Sequence, residues 1–254
     1  MNTNSNTYTI VYTAIIVIVV AAILAFAASS LKSKQEANIK ADTISQILTA
    51  AQVGTKAEFT AMGNEAVLQT YADNIVDAFI INAAGERVRD LDKENAELAT
   101  GLKAQNKAIK SGAEVELPVY QLKTATVIPV YGSGLWGPIW GYLAFDSSLQ
   151  TMVGSYFDHE SETPGLGAKI KDDPAFQAQF AGKKVDFAAD PVFSIVKGGV
   201  KDGRVNAVDA ITGATMTSNG LSAAINTWLK AYEPYLSTAG CPEDAEETTN
   251  AQEE

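Results

Sequence analysis

Residues 115–157 read VELPVYQLKTATVIPVYGSGLWGPIWGYLAFDSSLQTMVGSYF, and this stretch decides the fold. It holds four candidate strands, Val115 to Leu122, Thr124 to Tyr131, Ile139 to Phe145 and Leu149 to Phe157, rich in β-branched and aromatic residues. Short strands separated by Gly-bearing turns imply a largely antiparallel sheet.

Working outward, Asp77 to Arg87 reads as a further strand entering a turn at Ala83 to Gly85. Pro174 opens a helix that runs to Phe180. Another helix is expected from Gly220 to Tyr232, with Leu221, Ala224, Ile225, Trp228 and Leu229 on one face and Thr217, Ser218 and Asn219 as cap candidates. The class expected is therefore α+β, a mainly antiparallel sheet with flanking helices.

Towards the N-terminus, Ile10 to Ala28 runs uncharged and almost wholly apolar, with only Tyr12 and Thr13 interrupting. Nineteen such residues, at about 1.5 Å each, cross a hydrocarbon core of about 30 Å. A cleaved signal peptide competes, since Ala25, Phe26 and Ala27 form a small-x-small site. Against it, Met1 to Thr9 carry no Lys or Arg, and the apolar run exceeds the usual length of about 7–15 residues. Beyond it, Ile39, Ile44, Ile47 and Leu48 give Lys32 to Gln52 the pattern of an amphipathic helix leaving the membrane. The division expected is a tail at 1–9, a transmembrane helix at 10–28, a folded domain at 29–236 and an acidic, disordered tail at 237–254. Lys32, Lys34 and Lys40 flank the span, and the positive-inside rule alone places the domain in the cytoplasm.

Composition removes several classes of function. The formal charge is −11, from 19 Lys and Arg against 30 Asp and Glu, which opposes nucleic-acid binding. Glu243, Asp244, Glu246, Glu247, Glu253 and Glu254 account for much of it; without these six, 24 acids face 19 bases. One Cys and one His exclude a Cys-rich cage, and no metal site is expected. Cys241, beside Pro242, is expected to have no redox role, so any redox chemistry must come from a cofactor.

Three stretches carry chemistry. In Asp209 to Ser218 (DAITGATMTS), small residues permit close backbone approach and amides at a helix start favour a phosphate. The Lys of a phosphate-binding loop is absent, and hydroxyls dominate. A Thr hydroxyl can be esterified to a phosphate and so hold a phosphorylated cofactor, although an ordinary capped turn accounts for the same residues. In Pro129 to Gly141, glycines present Leu135 and Trp136 at a corner that can cover a planar ring, tuck into the core or seat on a membrane. In His159 to Gly167 (HESETPGLG), Pro164 beside Gly165 makes a loop suited to wrap a ligand. His159, without a second His, reads as a solvated or hydrogen-bonded residue.

Together these motifs, Gly-Leu-Trp at 134–136, Glu-Thr-Pro-Gly-Leu-Gly at 162–167 and Asp-x-x-Thr-Gly-Ala-Thr-x-Thr at 209–217, behind one N-terminal span, resemble the NqrC family of the bacterial sodium-translocating NADH:quinone reductase. The counterpart family in the related ferredoxin-linked electron-transport complex shares the latter two, whereas Leu135 and Trp136 after Gly134 favour NqrC.

The resemblance implies an FMN-binding domain with FMN joined through its phosphate to Thr215, transferred from FAD by an extracytoplasmic flavin transferase for which Asp209 serves recognition. Leu135, Trp136, Glu162, Thr163, Gly165, Leu166, Ile211, Thr212, Gly213, Ala214 and Thr217 are then candidates to line or approach the flavin. It further implies single-electron relay between a metal centre and another flavin subunit, partners among the membrane subunits of the same sodium-exporting reductase, and no complete turnover alone. It places the domain outside the inner membrane, against the positive-inside signal. Two rivals stand beside this expectation, the counterpart in the ferredoxin-linked complex and a flavin-free anchored sensor or binding domain.

Overall fold

The structure, a computed structural model, describes residues 6–201 and 203–238. Cys241 and the acidic residues beyond it lie outside the described residues. The chain divides into two compact units, residues 1–43 and 44–254. The expected membrane span and the helix expected to leave the membrane are parts of one helix, α1 (Asn6–Ala50), which runs without a break. Its sequence contains no Gly or Pro to stop it, and the first Gly after it is Gly54. It is long and apolar enough to cross a membrane, and its apolar stretch is exposed, Ile15 at 56% and Leu24 at 64%.

The second unit follows α1 with α2 (Lys56–Met62) and α3 (Asn64–Asn74), then β1 (Ile75–Ile81) and β2 (Arg87–Asp90). After α4 (Leu102–Ser111) come β3 (Leu117–Leu122), β4 (Thr126–Ser133), β5 (Pro138–Phe145) and β6 (Met152–His159). Short helices α5 (Lys169–Asp172) and α6 (Pro174–Ala178) precede β7 (Ser194–Val196), β8 (Ala207–Asp209) and the long α7 (Thr215–Leu236). The order β2-β1-β3-β4-β5-β6 forms one sheet, antiparallel at every junction. A small parallel pair, β7 with β8, lies apart from it and is not evident in the sequence.

The period-two alternation of the strands sorts their side chains into two cores. Phe79, Val119, Val130, Leu143 and Phe157 join Leu221, Ile225 and Trp228 of α7 on one face. Ala78, Tyr120, Val127, Tyr142 and Tyr156 join Ile44, Ile47 and Leu48 of α1, Phe59 of α2 and Tyr71 of α3 on the other. Each fully buried Leu, Ile or Phe contributes about 1.5–3 kcal/mol of apolar transfer free energy, so covering both faces stabilises a sheet that would otherwise expose one. Trp228 donates its indole N–H to the Tyr131 carbonyl at 2.8 Å, and the Tyr232 hydroxyl donates to the Pro118 carbonyl at 2.6 Å. These bonds fix α7 along the sheet without leaving either donor unpaired.

Close backbone approach sets the height of α7 over β4. A Cβ on Gly132 would stand 2.5 Å from the Ala224 Cβ, and one on Gly220 would collide with the Ser133 carbonyl. The β4–β5 turn therefore leaves the sheet directly beside the first turn of α7.

Candidate functional site

Gly213, at φ +83°, lies in the turn after β8 that the Ala214 N–H closes on the Ile211 carbonyl at 3.1 Å, and α7 begins two residues later with Thr215 as its first residue. This differs from the expected start at Gly220 and changes what the hydroxyls do. Ala214 occupies the N-cap position and offers no side-chain cap. Thr217 and Ser218 are buried inside the helix, where they serve as tertiary contacts rather than caps: Thr217 Oγ1 donates to Glu162 Oε2 at 2.5 Å, and Ser218 Oγ accepts the Ile211 N–H at 3.2 Å. The first helical hydrogen bond runs from Ser218 N to Ala214 O. The amides of Thr215, Met216 and Thr217 precede it and have no acceptor within the helix, so the end of α7 attracts an anion beside the exposed Thr215.

Around Thr215 the three motif stretches close a cleft of about 180 Å³. The Gly134 N–H bonds the Gly137 carbonyl at 2.8 Å and folds the β4–β5 turn so that Leu135 and Trp136 stand 50% and 67% exposed. The loop after β6 is bent by bonds from Leu166 N and Ala168 N to the Thr163 carbonyl, both at 3.1 Å. Leu166 then lies against Gly213, where a Cβ would meet its Cδ2 at 3.0 Å. Leu135, Leu166 and Met216, all exposed, line the cleft beside a hydroxyl and a helix end, and the exposed Trp136 follows Leu135 in the chain.

Glu162 closes the arrangement from below. It is 4% exposed; Oε1 accepts the Trp136 N–H at 2.9 Å and Oε2 accepts the Thr217 hydroxyl. Its own N–H donates to His159 Nδ1 at 3.1 Å, so His159 is hydrogen-bonded and holds the loop.

Of the residues singled out in the sequence, Leu135, Glu162, Thr163, Leu166, Gly213, Ala214, Thr215 and Thr217 line the cleft. Trp136 is outside this lining and is tied to it through its N–H, which donates to Glu162 Oε1. Gly165 and Thr212 are exposed outside its lining, and Ile211 is packed in the main core at 7% exposure. Asp209 is exposed at the end of β8, where its Oδ1 accepts the Val200 N–H at 2.6 Å and ties down the loop that follows β7. Gly167 and Met216, not singled out, also line the cleft; Met216 sits between Thr215 and Thr217, so the motif itself was the available signal. A larger cavity, about 760 Å³, lies elsewhere, between the end of α1, α2, the β6 edge and α6, and contains none of the motif residues.

Comparison with known proteins gives the same picture. A sequence profile of the FMN-binding domain matches residues 134–230, which span the cleft and most of α7. The NqrC protein of the Na(+)-translocating NADH-quinone reductase of Vibrio anguillarum is 31% identical, over 84% of this chain and 87% of its own length. Its counterpart from Vibrio parahaemolyticus is 32% identical over the same shares. The crystal structure of the corresponding protein from Parabacteroides distasonis superposes with a TM-score of 0.68 at 30% identity, covering 82% of this chain and 98% of that one. Identity at this level along nearly the whole length, with the same fold, means that the chain belongs to the NqrC family of the Na(+)-translocating NADH-quinone reductase.

Proposed function

We propose that the chain carries FMN esterified through its phosphate to Thr215, and relays electrons one at a time between a metal centre and a flavin on another subunit of a sodium-exporting, membrane-bound NADH:quinone reductase. The observation that carries this reading is the placement of Thr215. It is an exposed hydroxyl on the first residue of a 22-residue helix, beside helix-end amides and the exposed apolar residues that line the cleft. The residues fit the cofactor. The amides of Thr215, Met216 and Thr217 and the positive end of the helix dipole would hold a phosphate on Thr215, while Leu135, Trp136, Leu166 and Met216 would offer apolar surface to a planar ring.

When bound, the flavin supplies single-electron chemistry that no side chain here can perform. The residues around Thr215 would hold the phosphate end and fix the position of the group. Attachment is a phosphoryl transfer from FAD. The Thr215 Oγ–P bond forms, the phosphoanhydride bond breaks, AMP leaves and the hydroxyl proton is released. Asp209 is assigned to recognition by the transferase that performs this step. The domain from residue 29 onward is placed outside the cytoplasmic membrane, because such a transferase must reach Thr215; three lysines after a single span are a weaker orienting signal.

The test is direct. Full-length chain produced with the transferase should give a yellow band, fluorescent under ultraviolet light, that survives denaturing electrophoresis. Thr215→Ala should fold and insert but give no band. A fluorescent band from Thr215→Ala would defeat the assignment.

A further inference from the structure

The cleft contains a buried carboxylate that the chemistry of attachment does not use. Glu162 touches both walls at once, through Trp136 N–H at 2.9 Å and Thr217 Oγ1 at 2.5 Å. Room has been left for it: a Cβ on Gly134 or on Gly167 would collide with its carboxylate oxygens. Burying a charged group costs free energy, and an apolar residue of similar volume is often at least as good for stability alone. The helix that bears Thr215 has no side-chain cap to fix its first turn. The Thr217–Glu162 bond joins this turn to the Leu135–Trp136 corner.

We propose that Glu162 is a positioning residue for the loading of Thr215, acting through Thr217, two residues along the same helical turn. The proposal rests on the reading of Thr215 as the flavin-bearing residue. Phosphoryl transfer forms the Thr215 Oγ–P bond as the phosphoanhydride of FAD breaks and AMP departs, with the hydroxyl proton released. The attacking oxygen must meet phosphorus in line with the leaving group, and a displacement of about 1 Å can slow such a step about 100-fold. Glu162 holds the turn that aims this oxygen and makes no contact with the reacting atoms.

The experiment measures the initial rate of covalent labelling of the detergent-solubilised full-length chain by purified flavin transferase and FAD, at several concentrations of the chain. Thr217→Val keeps the side-chain shape and removes the donor, and Glu162→Ala removes the acceptor. Both should lose about tenfold or more in kcat with little change in KM. Glu162→Gln should stay within about threefold of wild type, because its carbonyl can accept from Trp136 N–H while its amide donates to the Thr217 hydroxyl. Thr217→Ser should recover most of the rate. Wild-type rates for Thr217→Val overturn the proposal, as does a Glu162→Gln as slow as Glu162→Ala, which would make charge the operative property. If Glu162→Ala does not fold, Thr217→Val decides. An unlabelled Thr215 in the wild-type chain would overturn the parent reading as well, and so is distinguished from failure of this proposal alone.

Discussion

The hydroxyl of Thr217 donates to the Glu162 carboxylate at 2.5 Å, joining residues 55 positions apart in the chain. One short bond thus connects the loop after β6 with the first turn of α7, and through the other oxygen of Glu162 the β4–β5 turn is drawn in as well. The three motif stretches are separated in sequence and meet at this carboxylate.

The room left for Glu162 has a measurable consequence. Gly167→Ala forces a methyl into the Glu162 carboxylate and towards Thr217 Oγ1, 2.6 Å away, whereas Gly165→Ala meets no atom and bears only the strain of φ +75°. Overpacking of this kind costs roughly 1–3 kcal/mol, and the left-handed backbone about 1–2 kcal/mol. Gly167→Ala carries a second defect, the distorted Glu162 clasp, so it should also slow labelling of Thr215 while Gly165→Ala should not. Thermal unfolding and labelling rates measured side by side check this; equal labelling of the two variants would contradict it.

Stability at the far edge of the sheet should depend on pH. Arg87 holds Asp77 with bonds of 2.6 and 3.2 Å and lies 4.5 Å over the Phe79 ring. The guanidinium holds the Asp77 carboxyl below its ordinary value. A lowered carboxylate value stabilises the fold above the unfolded value of about 4 and loses that contribution as pH falls through the folded one. The pair is partly exposed, so the contribution is about 0.5–1 kcal/mol. Wild type should exceed Asp77→Asn by that amount at pH 7 in chemical denaturation, and the gap should close as acidification protonates the folded-state Asp77 carboxyl. A gap that widens on acidification would contradict this.

How much of this is legible in the sequence follows from which signals are local. The four consecutive strands and the apolar face of α7 are, because period-two and helical patterns survive without tertiary context. The Thr55-x-x-Glu58 capping box that begins α2 is also visible in principle, and both of its bonds are present. The start of α7 is misplaced by sequence reading because Thr217 and Ser218 look like caps, and only the folded chain reveals that their partners are Glu162 and the Ile211 amide. The pairing of β7 with β8 is hidden for a related reason, since three-residue strands lack a period to detect. The motif match selects Thr215; its exposure and the helix-end amides beside it are properties of the fold.

Topology is testable separately. Protease added to intact spheroplasts should digest the chain from Lys32 onward. Resistance until the membrane is breached would return the domain to the cytoplasm, as Lys32, Lys34 and Lys40 alone suggest.

The central claim is the identity of the esterified residue, because Thr212, Thr215, Thr217 and Ser218 all offer hydroxyls within seven positions. The structure buries Thr217 at 2% and Ser218 at 1%, both committed to hydrogen bonds, whereas Thr215 is exposed in the cleft. Peptide mass mapping of the purified full-length chain should find the mass of a phosphoester-linked FMN on Thr215. Finding it on Thr212 or Thr217, or finding unmodified peptide in protein that is nevertheless yellow, would contradict the attachment proposed here.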